Sequence, residues 1–186
     1  MRHWQSRFWG LGIRDAWKAL EAARSTPHAA AGRYESIEIC ISHESIHYAG
    51  PVFEMAARQF HGAADHLEIP ADERPRLLLP KRAIAVSVPI HCDDGSTKVY
   101  QGYRVQHHLT LGPTKGGTRF SPHLEIGEVA ALAIWMSWQC ALAGLPYGGA
   151  KGGVACDPWS LSRREIEAVS RRYMPELIPS WVRIPT

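Results

Sequence analysis

The chain has 186 residues, of which 45% are hydrophobic and 21% are charged, a balance typical of one globular domain with or without an extension. The net charge of +3 is mildly basic, and aromatic residues do not alternate with the basic ones, so nothing indicates nucleic-acid binding. The four cysteines lack C-x-x-C spacing, no apolar run is long enough to span a membrane, and the first ten residues do not resemble a signal peptide. We therefore expect a soluble, cytoplasmic protein with reduced thiols that binds neither nucleic acid nor membranes.

The N-terminal segment carries few structural signals. The pattern predicts a helix around residues 15–24, and the alternation of isoleucine with other residues over 37–41 favours one strand. No internal repeat or low-complexity tract follows it. We treat residues 1–49 as an extension to which the sequence assigns no role.

A pattern typical of zinc binding lies near the C-terminal end of this extension. Residues 43–47 read His-Glu-Ser-Ile-His, in which two histidines one helical turn apart can bind zinc while the glutamate activates water. That geometry needs a sustained helix, whereas β-branched alternation precedes the motif and Gly50-Pro51 follows it within one turn. A third ligand is not identifiable. A zinc hydrolase built on His43, Glu44 and His47 is therefore the least supported of the functions that the sequence leaves open.

A regular helix is predicted from Pro51 onwards. Proline suits the first turn of a helix, and apolar residues then recur at three- and four-residue spacing as far as Leu67. Pro70 and Pro75 are expected to end this helix and to open a loop. The apolar stripe predicts that one side of the helix packs on the core.

A β-hairpin is predicted next. Residues 84–90 and 99–107 both show period-two alternation, and the sequence Asp-Asp-Gly-Ser between them favours a turn. Residues 118–120 favour a further short strand. These segments predict a sheet that has at least one buried face.

Two more helices complete the predicted fold. Residues 125–145 are apolar almost all round, which indicates a buried helix, and Gly144 is suited to its C-terminal end. A capping-box pair, serine followed three residues later by glutamate, opens a helix over 162–173 that Pro175 and Pro179 are expected to end. Helices and strands in this order predict an α/β fold with a mixed sheet flanked by helices.

Two lysines lie in glycine-rich motifs. Lys151 is surrounded by glycines in Gly-Gly-Ala-Lys-Gly-Gly, but alanine precedes it and glycine follows it. A phosphate-binding loop reads G-x-x-x-x-G-K-[ST], so a nucleotide-hydrolase loop is excluded. Lys115 lies in Gly-Pro-Thr-Lys-Gly-Gly, upstream of the predicted buried helix. Either lysine alone is compatible with an exposed turn, whereas two such motifs in this order rarely occur by chance.

The two motifs resemble the active-site signatures of the glutamate/leucine/phenylalanine/valine dehydrogenase family, the first in the version of the glutamate dehydrogenases. The likeness runs from Pro51 to Ile178 and includes the first helix and the hairpin. It implies that residues 50–179 form that family's N-terminal substrate and dimerisation domain and that residues 180–186 are a divergent tail. It also implies a homo-oligomer, or a hetero-oligomer with other dehydrogenase subunits.

The resemblance implies NAD(P)-dependent oxidative deamination of L-glutamate to 2-oxoglutarate and ammonia. It gives Lys151 an acid/base role, since a desolvated amine beside other cations is favoured in its neutral form. It also implies that Lys115 binds the side-chain carboxylate of glutamate. Gln139 replaces a family lysine that holds the substrate α-carboxylate, so we expect binding to be weaker by about tenfold. The expected active-site loop contains Gly148, Gly149, Gly152 and Gly153.

Two further family features have no counterpart in the sequence. The resemblance implies a catalytic aspartate beyond the helix at 162–173, but no aspartate follows Asp157. It also implies a domain for NAD or NADP, whose residues would decide between the two cofactors. We therefore expect a truncated or frameshifted dehydrogenase chain that is inactive alone. A non-catalytic assembly or regulatory partner of a full-length dehydrogenase is the alternative, and the zinc hydrolase is the third.

Overall fold

The computed structural model describes the backbone of residues 48–181 and the side chains of residues 48–178. The helix expected at 15–24, the strand expected at 37–41 and the motif at 43–47 lie outside the described residues. The described elements, in chain order, are α1 (Pro51–His66), α2 (Arg74–Leu78), β1 (Arg82–His91), β2 (Thr97–Gln106), β3 (Thr114–Lys115), β4 (Thr118–Phe120), α3 (Ile126–Leu142), β5 (Gly148–Val154) and α4 (Arg163–Trp181).

The strands described here form one mixed sheet in the order β1-β2-β5-β3, with β4 also paired to β5. β1 and β2 form the predicted antiparallel hairpin, and β2 is antiparallel to β5. The short strands β3 and β4 both run parallel to β5, one beside its beginning and the other beside its end. The prediction of a mixed sheet flanked by helices is confirmed, and β5 lies inside the sheet.

Helices cover both faces of the sheet. On one face, α1 and α3 pack over Val105 of β2, with Phe60 and Ile134 among the buried residues of that core. On the other face, α4 packs over β1 and β5 through Tyr173 and Leu177. Burial of one such large side chain contributes roughly 1.5–3 kcal/mol, so the two cores hold the sheet between its helix layers. None of the described helices is both long and apolar enough to cross a membrane.

The end of α3 follows the sequence prediction. Gly144 has a φ of 64°, a left-handed conformation that glycine adopts without strain. The Gly144 N–H donates to the Ala141 carbonyl, and the Leu145 N–H donates to the Cys140 carbonyl at 2.9 Å. These two bonds form a Schellman motif, which satisfies the last carbonyl groups of the helix.

The predicted capping box at the start of α4 is also confirmed. The Ser162 N–H donates to the Glu165 carboxylate at 2.9 Å, and the Glu165 N–H donates to the Ser162 hydroxyl at 3.2 Å. The same carboxylate accepts a bond from the Asp93 N–H in the hairpin turn. The cap therefore also ties the turn of the hairpin to α4.

α1 ends at His66, before Pro70, as the sequence predicted, but Pro75, Pro175 and Pro179 do not end helices. Pro75 lies in the first turn of α2, where its missing N–H costs nothing, so the expected loop contains a short helix. α4 continues through Pro175 and Pro179 to Trp181. An interior proline costs about 3 kcal/mol. We attribute the continuation past Pro175 to the burial of Tyr173 and Leu177 on either side of it.

The glycine-rich stretch is a strand and not the loop that the sequence predicted at Gly148, Gly149, Gly152 and Gly153, whereas the place of these glycines in an active site stays a prediction. All four glycines are buried in β5. Glycine is needed there because neighbouring groups come very close. A Cβ at Gly149 would clash with the main chain of Ser137 and Ala133 in α3, and a Cβ at Gly152 would meet the Tyr173 hydroxyl.

The close approach of α3 to Gly149 predicts a large cost for a single methyl group. Gly149→Ala should lower the free energy of unfolding by about 2 kcal/mol or more, because two main chains would have to separate. Gly117→Ala is the matched control, since its Cβ would meet only the Lys151 Nζ at 3.6 Å, and it should change stability by less than about 0.5 kcal/mol. Urea denaturation of both variants checks this, and equal midpoints would contradict it.

Candidate functional site

Lys151 lies in the middle of β5 and is partly buried. Its partner in β2 is Val105, and directly opposed residues of antiparallel strands share one face. Val105 is buried in the core formed with α1 and α3, so Lys151 lies on the α3 face of the sheet. A Cβ at Gly117 would lie 3.6 Å from the Lys151 Nζ, so the amine reaches towards the chain between β3 and β4.

Lys115 lies on the same face. It is the register partner of Gly149, which comes two residues before Lys151 and packs against α3. Its Nζ is 3.8 Å from the Met136 sulfur on α3, and its side chain is exposed. Lys115, on the edge strand β3, and Lys151, on the inner strand β5, therefore lie on the same face of the sheet beside α3.

Gln139 comes from α3 and is exposed. It follows Met136 by three residues, so both side chains lie on the same side of the helix. Because Met136 contacts the amine of Lys115, this side of α3 faces the strand that carries Lys115. Gln139 therefore lies one helical turn beyond Met136 on the side of α3 that faces Lys115, whereas a single site formed by Lys115, Lys151 and Gln139 stays a prediction.

The two lysines are not neutralised by acidic side chains. Within residues 48–178 neither lysine forms an ion pair. Glu128, in the first turn of α3, is bonded instead to Arg119 of β4 at 2.6 Å. Two ammonium groups on one face, without a carboxylate between them, create a positive potential that favours an anionic ligand.

Arg104 binds the chain next to Lys115 from the other face of the sheet. Its buried guanidinium donates from Nη1 to the Gly116 carbonyl, next to Lys115, at 3.3 Å. Burial lowers the pKa of Arg104. The interpretation of the sequence missed this residue, although its alternation with Val105 along β2 places it on the opposite face.

A buried histidine holds the beginning of β5. His107 is 2% exposed, and its Nδ1 is 2.9 Å from the Ser137 hydroxyl, which accepts a bond from the Gly149 N–H at 3.1 Å. Its Nε2 lies 3.1 Å and 3.2 Å from the carbonyl oxygens of Leu77 and Leu78. Carbonyls only accept, so we assign the proton to Nε2 and the acceptor role to Nδ1. Burial, together with the neighbouring His108, lowers the pKa of His107 to about 3.

A buried tyrosine holds the end of the same strand. The Tyr173 hydroxyl donates to the Tyr103 carbonyl at 2.6 Å and accepts from the Gly153 N–H at 3.1 Å. Burial raises the pKa of Tyr173. The interpretation of the sequence missed both His107 and Tyr173 as site residues. The only available signal for His107 was its period-two spacing from Val105.

The described residues do not fit a dinucleotide cofactor. A dinucleotide fold places a glycine-rich turn between a parallel strand and a helix. Here residues 121–125, which lead from β4 to α3, and residues 155–162, which lead from β5 to α4, contain no glycine. The described side chains also include no group of three His, Cys, Asp or Glu that could hold a metal ion.

Comparison with known proteins gives one family. The family model described as the dimerisation domain of Glu/Leu/Phe/Val dehydrogenases matches residues 80–184. A glutamate dehydrogenase from Thermotoga maritima is 47% identical over 126 residues, 68% of this chain. An NAD-specific glutamate dehydrogenase from Clostridioides difficile is also 47% identical, over 66% of this chain. The domain limits at residues 50 and 179 stay a prediction.

Solved structures agree in fold. A glutamate dehydrogenase from Peptoniphilus asaccharolyticus matches with a TM-score of 0.66 and 39% identity over 69% of this chain. The glutamate dehydrogenase from Thermus thermophilus, described as hetero-hexameric and leucine-bound, matches with a TM-score of 0.57 and 39% identity over 69% of this chain. The chain spans 30% of the Thermotoga protein and 33% of the Peptoniphilus chain.

The buried histidine predicts a specific loss of stability in acid. An unfolded histidine titrates near pH 6.5, whereas His107 in the folded chain resists protonation down to about pH 3. Between these values the unfolded state binds more protons. Stability that depends on neutral His107 is therefore complete above about pH 6.5 and falls by up to about 1.4 kcal/mol per pH unit below it.

Urea midpoints between pH 7.5 and pH 5 measure this loss. His107→Gln keeps a donor for the Leu77 and Leu78 carbonyls but cannot titrate, so its stability should fall less steeply with pH than that of the wild-type chain. His91→Gln, an exposed position on β1, is the control and should keep the wild-type slope. Identical slopes for His107→Gln and the wild-type chain would contradict the assignment.

Proposed function

Because the chain belongs to the Glu/Leu/Phe/Val dehydrogenase family, we propose that its described residues form the glutamate-binding half of a glutamate dehydrogenase site. The family reaction is the NAD(P)-dependent oxidative deamination of L-glutamate to 2-oxoglutarate and ammonia. In this proposal, glutamate binds on the face of the sheet beside α3. One observation carries it: Lys115 and Lys151 share that face, and within residues 48–178 neither has an acidic partner.

The two lysines have different roles in this proposal. Lys115 is exposed at the edge, where its ammonium group is free to bind the side-chain carboxylate of glutamate through a charge-assisted hydrogen bond. Lys151 is partly buried in a strand that has neighbours on both sides, so the main chain that carries it is fixed. An amine that projects from a fixed main chain suits proton exchange with the water that hydrolyses the imine of the oxidised substrate.

Gln139 lowers the expected affinity. Its amide can donate a neutral hydrogen bond to the substrate α-carboxylate, worth roughly 0.5–1.5 kcal/mol, where a lysine would contribute roughly 1.5–3 kcal/mol. We propose that the site accepts glutamate but binds it weakly.

In this proposal, residues other than the described ones bind the cofactor. NAD or NADP accepts the hydride in the family reaction, and the described strand–helix connections lack the glycine-rich turn of a dinucleotide-binding fold. Similarity does not distinguish between them: the Clostridioides relative is NAD-specific at 47% identity, and a relative from Synechocystis is NADP-specific at 45% identity. We propose that the described residues supply the substrate side alone and do not turn over glutamate by themselves.

Binding measurements with matched variants test the proposal. In titrations of the wild-type chain followed by chemical shifts, L-glutamate should bind more tightly than L-glutamine. Lys115→Met should weaken glutamate binding by about tenfold or more and remove the preference over glutamine, because the side-chain carboxylate loses its cation. Lys151→Met should weaken binding but keep the preference.

Lys98→Met is the control, because Lys98 lies on the exposed hairpin away from α3, and this variant should bind like the wild-type chain. Gln139→Lys should strengthen glutamate binding by about tenfold. If Lys115→Met keeps both the wild-type affinity and the preference for glutamate, the site is not the one proposed.

A second candidate function is assembly with other dehydrogenase subunits. β1 is an edge strand of ten residues that pairs only with β2 among the described strands. Such an edge offers unpaired main-chain groups to a second sheet. The matching family model is named for dimerisation, and the Thermus enzyme is described as hetero-hexameric.

Sedimentation velocity tests the assembly candidate. The purified chain should sediment as a dimer or a larger species, or should enter the hexamer when it is co-expressed with a full-length glutamate dehydrogenase. A monomer in both experiments would rule this candidate out and would leave the glutamate-binding proposal untouched.

A further inference from the structure

We propose that Ser137 and Tyr173 are positioning residues for Lys151: their hydroxyls, one from each helix layer, hold the main chain of β5 two residues before and two residues after the lysine. The inference rests on the role proposed above for Lys151. It adds two residues that do not themselves bind the substrate.

The hydroxyl on the α3 side holds Gly149. The Gly149 N–H donates to the Ser137 Oγ at 3.1 Å, and the same Oγ is 2.9 Å from His107 Nδ1. The main-chain N–H of His107 donates to the Gly149 carbonyl at 2.9 Å and so completes this network. Both main-chain polar groups of Gly149 are therefore bound within one buried network.

The hydroxyl on the α4 side holds Gly153. Gly153 is the register partner of Tyr103, and the Tyr173 hydroxyl bonds to both, accepting from the Gly153 N–H and donating to the Tyr103 carbonyl. Space for the tyrosine comes from two glycines. A Cβ at Gly102 would lie 2.9 Å from the ring, and a Cβ at Gly152 would meet the hydroxyl.

These bonds supply a constraint that sheet pairing lacks. Hydrogen bonds between strands act in the plane of the sheet, so they fix register and spacing. The Ser137 and Tyr173 hydroxyls come from helices on opposite faces, so they also fix the position of β5 between the two layers. Lys151 lies midway between the two held amides, so the position of its Cα follows theirs and sets the point from which its side chain extends towards Gly117.

Acylation of the lysines measures the position of Lys151 without any substrate. The rate at which acetic anhydride modifies Lys151, relative to Lys98 in the same molecule, is followed by peptide mass spectrometry from pH 6 to pH 9. Tyr173→Phe and Ser137→Ala should each change this ratio threefold or more and alter its pH profile. Ser137→Thr, which keeps the hydroxyl, should restore the wild-type profile.

Tyr100→Phe is the matched control. It removes a hydroxyl next to the same core, and among the described residues that hydroxyl bonds no main-chain group, so the wild-type profile should persist. If Tyr173→Phe and Ser137→Ala fold but leave the Lys151 profile unchanged, the proposal is overturned. If the lysine variants bind glutamate like the wild-type chain, the proposed function fails, yet the acylation result still decides the positioning role.

Amide hydrogen exchange in the wild-type chain decides the matter if either variant fails to fold. The Gly149 and Gly153 amides should exchange as slowly as the Gly152 amide, which is bonded at 3.0 Å to the carbonyl of Gly117, between β3 and β4. Exchange at Gly149 and Gly153 that is tenfold faster than at Gly152 would overturn the proposal.

Discussion

The contact of α3 with β5 at Gly149 is the constraint on which the rest of the described structure depends. No side chain larger than hydrogen fits there, because the main chain of α3 occupies the space. The contact brings the Ser137 hydroxyl to the Gly149 N–H and the Met136 sulfur to the Lys115 amine. A single close approach thus aligns the buried network, the strand that carries Lys151 and the edge that carries Lys115.

The distribution of charge on that face follows from burial. His107 is enclosed and stays neutral, because burial lowers its pKa to about 3. Lys115 is exposed on the edge strand β3, whereas Lys151 is partly buried on the inner strand β5, and neither has an acidic partner within residues 48–178. The face therefore combines a buried neutral histidine with two lysines that lack acidic partners, which suits a small anionic ligand.

Local patterns predicted the local elements. The hairpin, the Schellman end of α3 and the capping box of α4 each depend on neighbouring residues, so the sequence sufficed. β5 could not be predicted in this way. Glycine favours no strand by itself, and β5 exists because β2, β3, β4 and α3 close around it. Pro175 was misjudged for the same reason, since burial on either side of it outweighs a local preference.

The site was predictable only in part. The two lysine motifs were found because their spacing is specific, whereas the hydroxyls of Ser137 and Tyr173 act across long sequence distances that no local pattern reveals.

A crystal structure of the chain with L-glutamate bound tests the central claim most directly. The side-chain carboxylate should lie within hydrogen-bond distance of the Lys115 Nζ, with the α-carbon beside Lys151 on the α3 face. Glutamate bound on the α4 face, or away from both lysines, would contradict it.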